Sequence, residues 1–108
     1  MSGLVLTKNK TRVTLGTMVK IWHGTRGHDY VVIGVDKQKR KVCLLKHNSI
    51  NGDGTIHAAT TKSCFSHKEL SYNTNGIIDK VSTVQGECTR IDVKALMGHL
   101  KGSTISVF

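Results

Sequence analysis

Cysteine and histidine are the residues of this 108-residue chain whose types and spacing could support metal chemistry. Cys43 and His47 form one closely spaced pair, and Cys64 and His67 form a second pair after a gap of 16 residues. Two thiolates and two imidazoles would suit a tetrahedral zinc ion. The order of these pairs differs from that of the common zinc fingers, and two leucines directly follow Cys43. A buried thiol with surface histidines is therefore the favoured interpretation, and zinc binding is the alternative.

Catalytic arrangements are not indicated by the rest of the sequence. The seven acidic side chains are scattered, so no pair is spaced for general acid and base catalysis. Residues 24–27, Gly-Thr-Arg-Gly, lack the lysine and the length of a phosphate-binding glycine loop. We therefore expect a non-catalytic protein without a cofactor. The odd number of cysteines and the lack of a signal-peptide pattern predict reduced thiols and a cytoplasmic location.

Positive charge is the strongest chemical signal in the chain. Sixteen Lys and Arg residues stand against seven acidic ones, which gives a net charge of +9. Residues 1–54 hold ten basic and three acidic side chains, a net +7, and the charge peaks at residues 37–41, Lys-Gln-Lys-Arg-Lys. Such a surface favours an anionic partner, either a nucleic acid or an acidic protein. The alternative is a solvated turn whose charges serve solubility alone.

The strands flanking this basic segment must position it. The β-branched run over residues 30–35 and the apolar run over 41–47 predict an antiparallel hairpin with a basic tip. The preceding residues 18–23 alternate, which places Lys20 and Trp22 on one face, with Arg26 in the loop that follows. Trp22 could stack on an unpaired base or pack in the core. The candidate nucleic-acid-binding residues are Lys20, Trp22, Arg26, Lys37, Lys39, Arg40 and Lys41.

Residues 19–27 (Val-Lys-Ile-Trp-His-Gly-Thr-Arg-Gly) and 31–44, with their two strands, basic turn and third strand, resemble the KOW motif. This motif belongs to the SH3-like barrels of some ribosomal proteins and transcription elongation factors. Gly24 matches the loop glycine of the family, where a side chain would collide with the turn. The resemblance covers about a quarter of the chain. It implies binding of RNA or protein through the loops and no catalytic chemistry.

The expected fold class is mainly β: a small SH3-like barrel or meander of about five or more short strands, with one C-terminal helix. Residues 1–11 are predicted to be a flexible basic lead-in, and residues 12–108 a single small domain. The helix is expected near residues 90–101, because apolar residues crowd one side of that segment. Three of these residues could form a docking face for a protein: Ile91, Met97 and Leu100.

Two functions follow from these patterns. The first is a non-catalytic module that binds nucleic acid, RNA more than DNA, or a ribonucleoprotein through the basic hairpin. The second is a small protein-interaction factor, for example a viral or mobile-element protein that docks on an acidic host protein. A membrane partner is not expected, because no apolar run approaches the ~20 residues of a membrane span.

Overall fold

Strands dominate the computed structural model, which describes residues 5–52, 68–78 and 83–88. The prediction of a mainly β fold is confirmed, and a short 3-10 helix (His47–Ser49) is the one helical segment of the described ranges. The helix predicted near residues 90–101 lies outside those ranges. The strands are β1 (Val5–Thr7), β2 (Arg12–Val13), β3 (Thr17–His23), β4 (Arg26–Asp36), β5 (Lys41–Lys46), β6 (Lys68–Ser71), β7 (Ile77–Ile78) and β8 (Thr83–Glu87).

The strands form two sheets. The larger is antiparallel, with the order β6-β5-β4-β3-β8, and the smaller has the order β2-β1-β7, with β1 parallel to β7. One isolated bridge, between Tyr72 and Ile78, connects the end of β6 to β7. Within the described residues these pairings do not close into a barrel, so the SH3-like part of the expectation stays a prediction. Nor does the described part of the chain hold a helix long and apolar enough to cross a membrane.

The hairpin predicted over residues 30–47 is confirmed, with β4 and β5 paired from Tyr30–Lys46 to Asp36–Lys41. The register shifts between Val32 and Gly34, where β4 contains a bulge. Because strand residues otherwise alternate between faces, the bulge allows both Val32 and Val35 to reach the same core. Strict alternation would place these two side chains on opposite faces.

Apolar side chains cover both faces of the central strands. One core lies between the two sheets, where Val5 and Ile78 of the smaller sheet meet Val19, Val32 and Leu44 of the larger. A second cluster lies on the other face and contains Val31, Ile33, Cys43, Leu45, Ile50 and Cys88. Burial on both faces explains why β4 and β5 show continuous apolar runs.

The N-terminal segment differs from the flexible lead-in predicted for residues 1–11. Val5 and Thr7 are buried, and Thr7 exchanges backbone and side-chain hydrogen bonds with Thr11 across a tight turn. Residues 5–11 are therefore part of the folded domain. The polar residues between β1 and β2 have a composition typical of a disordered terminus. They form a turn here because β1 pairs in parallel with β7, which is far away in the sequence.

Candidate nucleic-acid interface

The four residues between β4 and β5, residues 37–40, form a turn that we call the basic turn. Asp36, which is buried at the end of β4, accepts hydrogen bonds at Oδ1 from the backbone N–H groups of Gln38 (3.1 Å) and Lys39 (3.2 Å). The carboxylate thus holds the loop from its base. The side chains of all four loop residues are exposed as a result.

Three cations of the basic turn are available to a partner. Lys37, Lys39 and Arg40 are exposed, and none forms an ion pair within the described residues. Lys41 differs, because its Nζ lies 3.3 Å from Glu69 Oε2 and its side chain is partly buried. The sequence analysis places Lys41 in one candidate site with the three cations of the turn. In the structure, Lys41 instead forms an ion pair with Glu69 of β6.

Arg40 has an unusual backbone conformation, with φ of +51°. In this left-handed region, a residue other than glycine is destabilised by about 1–2 kcal/mol, because its Cβ approaches the following carbonyl oxygen. Its carbonyl accepts a hydrogen bond from the Tyr72 N–H at 3.0 Å, which joins the turn to the end of β6. Burial raises the pKa of the Tyr72 phenol, opposed by the positive charge of Arg40.

A second basic turn follows β1, and the sequence analysis did not include it in the site. Lys8, Lys10 and Arg12 are exposed in and beside the turn that joins β1 to β2, residues 8–11, which we call the N-terminal turn. Thr7 pairs with Ile78, which bridges to Tyr72, which bonds to Arg40. With about 5 Å for each step, Thr7 and Arg40 lie within about 15 Å of each other. Only the pairing of β1 with β7 reveals this proximity.

The other hairpin, formed by β3 and β4, carries the exposed aromatic residue. Lys20 and Trp22 share one face, as predicted, and the Trp22 side chain is 53% exposed, so it does not pack in the core. Lys20 Nζ lies 5.7 Å from the centre of the Trp22 ring and 3.7 Å from Asp29 Oδ1. Tyr30, in contrast, is buried in the core.

Gly24 and Gly27 shape this hairpin in different ways. Gly24 has φ of +64°, and a Cβ there would meet nothing within 4 Å, so the turn needs glycine for its backbone conformation and not for space. A Cβ on Gly27 would lie 2.9 Å from Lys20 Cδ and 3.3 Å from Trp22 Cη2. Gly27 therefore leaves the room in which the Trp22 ring and the Lys20 stem cross β4.

Arg26 does not join Lys20 and Trp22. It is the first residue of β4, pairs with His23, and lies on the opposite face of the hairpin, together with His28. The rings of His23 and His28 meet edge to face, with their centres 5.2 Å apart. The prediction of a loop position for Arg26 is wrong because the turn comprises only Gly24 and Thr25, which shortens the loop and lengthens β4.

The structure separates the predicted binding residues into two groups. Trp22 and its neighbours lie where β4 begins, and the basic turn lies where β4 ends. A straight strand of this length spans roughly 30 Å. The seven candidate residues therefore do not form one continuous patch; basic side chains lie at one end of β4 and the exposed Trp22 lies at the other.

The zinc hypothesis does not fit the geometry of Cys43 and His47. Cys43 is fully buried in the second apolar cluster. His47 lies just beyond the end of β5, so the backbone positions of Cys43 and His47 are about 13 Å apart. Ligands of one zinc ion must both approach it within about 2.3 Å. Burial and the nearby carboxylates of Glu69 and Asp36 also raise the pKa of the Cys43 thiol to about 12, which disfavours a thiolate ligand.

Several predicted residues cannot be placed in this surface. Cys64 and His67, of the second Cys/His pair, and Ile91, Met97 and Leu100, of the docking-face alternative, lie outside the described residues. Within the described ranges, no three His, Cys, Asp or Glu side chains are grouped as a metal site would require.

Comparison of the chain with protein-family models, with curated proteins and with solved structures found no match. The resemblance to the KOW motif therefore stays a prediction from the residues quoted for it. The interface must be interpreted from its own geometry and charge.

Proposed function

We propose that this protein is a non-catalytic RNA-binding module whose basic turn holds the phosphate backbone. In this proposal the consecutive antiparallel strands β3, β4 and β5 are the meander of an SH3-like fold, and function resides in its turns. The KOW-like residues favour RNA over DNA. Partner binding depends mainly on charge, because phosphate contacts supply most of the affinity of such proteins.

The observation that carries this proposal is the basic turn, which presents three exposed cations at one end of the hairpin of β4 and β5. Lys37, Lys39 and Arg40 have no acidic partners in the described residues, and Lys8 and Lys10 add exposed positive charge in the N-terminal turn. The left-handed Arg40 supports the same conclusion, since glycine or asparagine would satisfy the backbone at lower cost.

The test removes the three exposed cations of the basic turn together. The triple variant Lys37→Gln, Lys39→Gln and Arg40→Gln should bind a labelled single-stranded RNA at least tenfold more weakly at low salt, as measured by fluorescence anisotropy. The slope of log affinity against log salt should become shallower by about 2, because three phosphate contacts on a single strand contribute about 0.7 each. Lys41 is left unchanged, since its loss would leave Glu69 without its partner.

The matched control keeps the charge and changes the side chains: Lys37→Arg, Lys39→Arg and Arg40→Lys. This variant should retain affinity within about threefold if phosphate attraction is the main interaction. Equal RNA affinity in the neutral variant and the native protein would contradict the proposal. Loss of binding to an acidic protein, with RNA binding absent throughout, would favour the protein-interaction alternative.

A further inference from the structure

Four basic or imidazole side chains form a row across one face of the larger sheet. Lys46 lies opposite Tyr30 of β4, which is two residues from His28, so these side chains share a face. Lys68 lies opposite Leu44 of β5, which is two residues from Lys46, so it shares that face as well. The first residue of β4 lies two positions before His28, on the same face again. We call this row the basic diagonal, and its members are Arg26, His28, Lys46 and Lys68.

The spacing along the basic diagonal is regular. Diagonal neighbours on adjacent antiparallel strands have their Cβ atoms about 7–8 Å apart, and residues two apart on one strand are separated by about 7 Å. Each member therefore lies at nearly the same distance from the next. A nucleic-acid backbone is a chain of evenly spaced phosphates, so a row of this kind can follow it, as the charged grooves of single-strand-binding proteins do.

The basic diagonal marks the border of the core between the two sheets. Its last three members each lie opposite a buried core residue of the ladder, and these core residues are Ile21, Tyr30 and Leu44. The same three members are half-buried, so their stems can cover the rim of the core while their polar ends reach water. Any long polar side chain could serve that purpose, whereas this row carries charge of one sign alone.

The acidic side chains nearest in sequence lie on the other face of the sheet. Asp29 is opposite Lys20, and its Oδ1 lies 3.7 Å from the Lys20 Nζ. Glu69 lies on that face too, where its Oε2 is 3.3 Å from the Lys41 Nζ. The described residues thus place no carboxylate between the members of the basic diagonal. An anionic partner is favoured there.

A cleft of about 220 Å³ lies between the second and third members of the row. It forms because β5 ends at Lys46, whereas β4 extends back beyond His28. The His28 ring is in edge-to-face contact with the His23 ring, which fixes its position. The volume is below the roughly 300–1,000 Å³ of sites for drug-sized ligands, so it suits a single phosphate group. Ammonium, imidazole and amide N–H groups are available as donors, because the lining residues are Gly27, His28, Asp29, Lys46, His47 and Asn48.

We propose that the basic diagonal is a second phosphate track, along which a single RNA strand crosses β4, β5 and β6. One phosphate of that strand lies in the cleft between His28 and Lys46. This inference rests on the proposed RNA-binding function and deepens it, because it gives the strand a path across the sheet in addition to the basic turn. Since phosphates supply the contacts, the track accepts any base sequence.

The first experiment removes the lysine and arginine charges of the row: Arg26→Gln, Lys46→Gln and Lys68→Gln in one variant. Its affinity for a labelled single-stranded RNA, measured by fluorescence anisotropy at low salt, should fall at least tenfold. The slope of log affinity against log salt should become shallower by about 2, because each phosphate contact on a single strand contributes about 0.7. The matched control, Arg26→Lys, Lys46→Arg and Lys68→Arg, should retain affinity within about threefold. Circular dichroism checks the folding of both variants.

Two single variants separate the track from a general loss of net charge. Lys46 and Lys20 both lie opposite residues of β4, but their side chains are on opposite faces of the sheet. Lys46→Gln and Lys20→Gln remove the same charge. The first should weaken RNA binding at least threefold more than the second, and equal losses would overturn the track.

Inorganic phosphate tests the cleft without RNA. Added to the native protein at constant pH and ionic strength, it should shift the imidazole NMR signals of His28 until they saturate, whereas sodium chloride should not. His28→Gln identifies these signals. Lys46→Gln should weaken phosphate binding at least threefold, and the neutral triple variant of the basic turn should leave it unchanged. Equal shifts with phosphate and with chloride would show that the cleft does not bind phosphate.

The outcomes separate this inference from the proposed function. If the neutral variant of the basic diagonal binds RNA as the native protein does, while the neutral variant of the basic turn binds more weakly, the track is excluded and the proposed function stands. If the charge-retaining control loses as much affinity as the neutral variant, the effect comes from packing, and the track is excluded as well. If the native protein binds no RNA at low salt, both proposals fail.

Discussion

Single residues in unfavourable or unusual environments mark the candidate interface. Arg40 adopts a left-handed backbone at the tip of the basic turn, Trp22 is half-exposed on a hairpin, and Gly27 leaves the space that Trp22 occupies. Arg40 and Gly27 lower the local stability of the backbone, and Trp22 leaves apolar area exposed to water. Backbone strain and exposed apolar area are typical of positions that serve binding.

Arg40→Gly should increase stability and decrease binding. Glycine removes the Cβ clash of the left-handed conformation, so the free energy of unfolding in urea should rise by about 0.5–1 kcal/mol. The lost charge should weaken RNA binding a few-fold. Arg40→Ala is the matched variant, because it loses the same charge and keeps the strained backbone. Equal stabilities for the glycine and alanine variants would show that the conformation of Arg40 carries no cost.

Cys43 should make the fold sensitive to alkali. Its pKa is raised from 9.0 to about 12 in the folded protein, because burial and two nearby carboxylates disfavour the thiolate. The unfolded chain ionises first, so this group's contribution to stability is complete below pH 9 and is lost between pH 9 and 12. The loss approaches about 1.4 kcal/mol per pH unit. Cys43→Val should unfold with a flatter pH dependence in that range; parallel curves would contradict this expectation.

Strands and turns show how far the sequence determines the architecture. The hairpin of β4 and β5 and its basic tip were predictable, because two apolar runs flank a polar segment of turn length. The bulge near Gly34 and the early start of β4 at Arg26 were not. Both depend on hydrogen-bond register, which composition does not encode. β1 was missed because its partner β7 is about 70 residues away, beyond any local pattern.

Asp36 is the residue on which the basic turn depends. Asp36→Ala removes the acceptor of two backbone N–H groups and should lower the free energy of unfolding by about 1–3 kcal/mol. Loosening the turn should also weaken RNA binding, although no cation is lost. Asp36→Asn retains an Oδ1 acceptor and should recover much of the stability. Chemical denaturation combined with anisotropy measures both effects, and an alanine variant as stable as the native protein would exclude this role.

At the scale of the whole molecule, net charge was the most informative sequence property, and its spatial distribution was the least predictable. Thr7 and Arg40 are far apart in sequence, yet strand pairing brings them within about 15 Å of each other. Arg26 and Trp22, only four positions apart, lie on opposite faces. The residue types of the site could thus be identified early, whereas their grouping required the strand pairing.

The length of β4 has a consequence for the ligand. Because this strand holds the basic turn at one end and pairs beside the exposed Trp22 at the other, an RNA strand must span roughly 30 Å to contact both ends. A short oligonucleotide can occupy only one end at a time. A strand long enough to reach both ends gains the second contact at high effective concentration, so affinity should rise abruptly at one threshold length and change little beyond it.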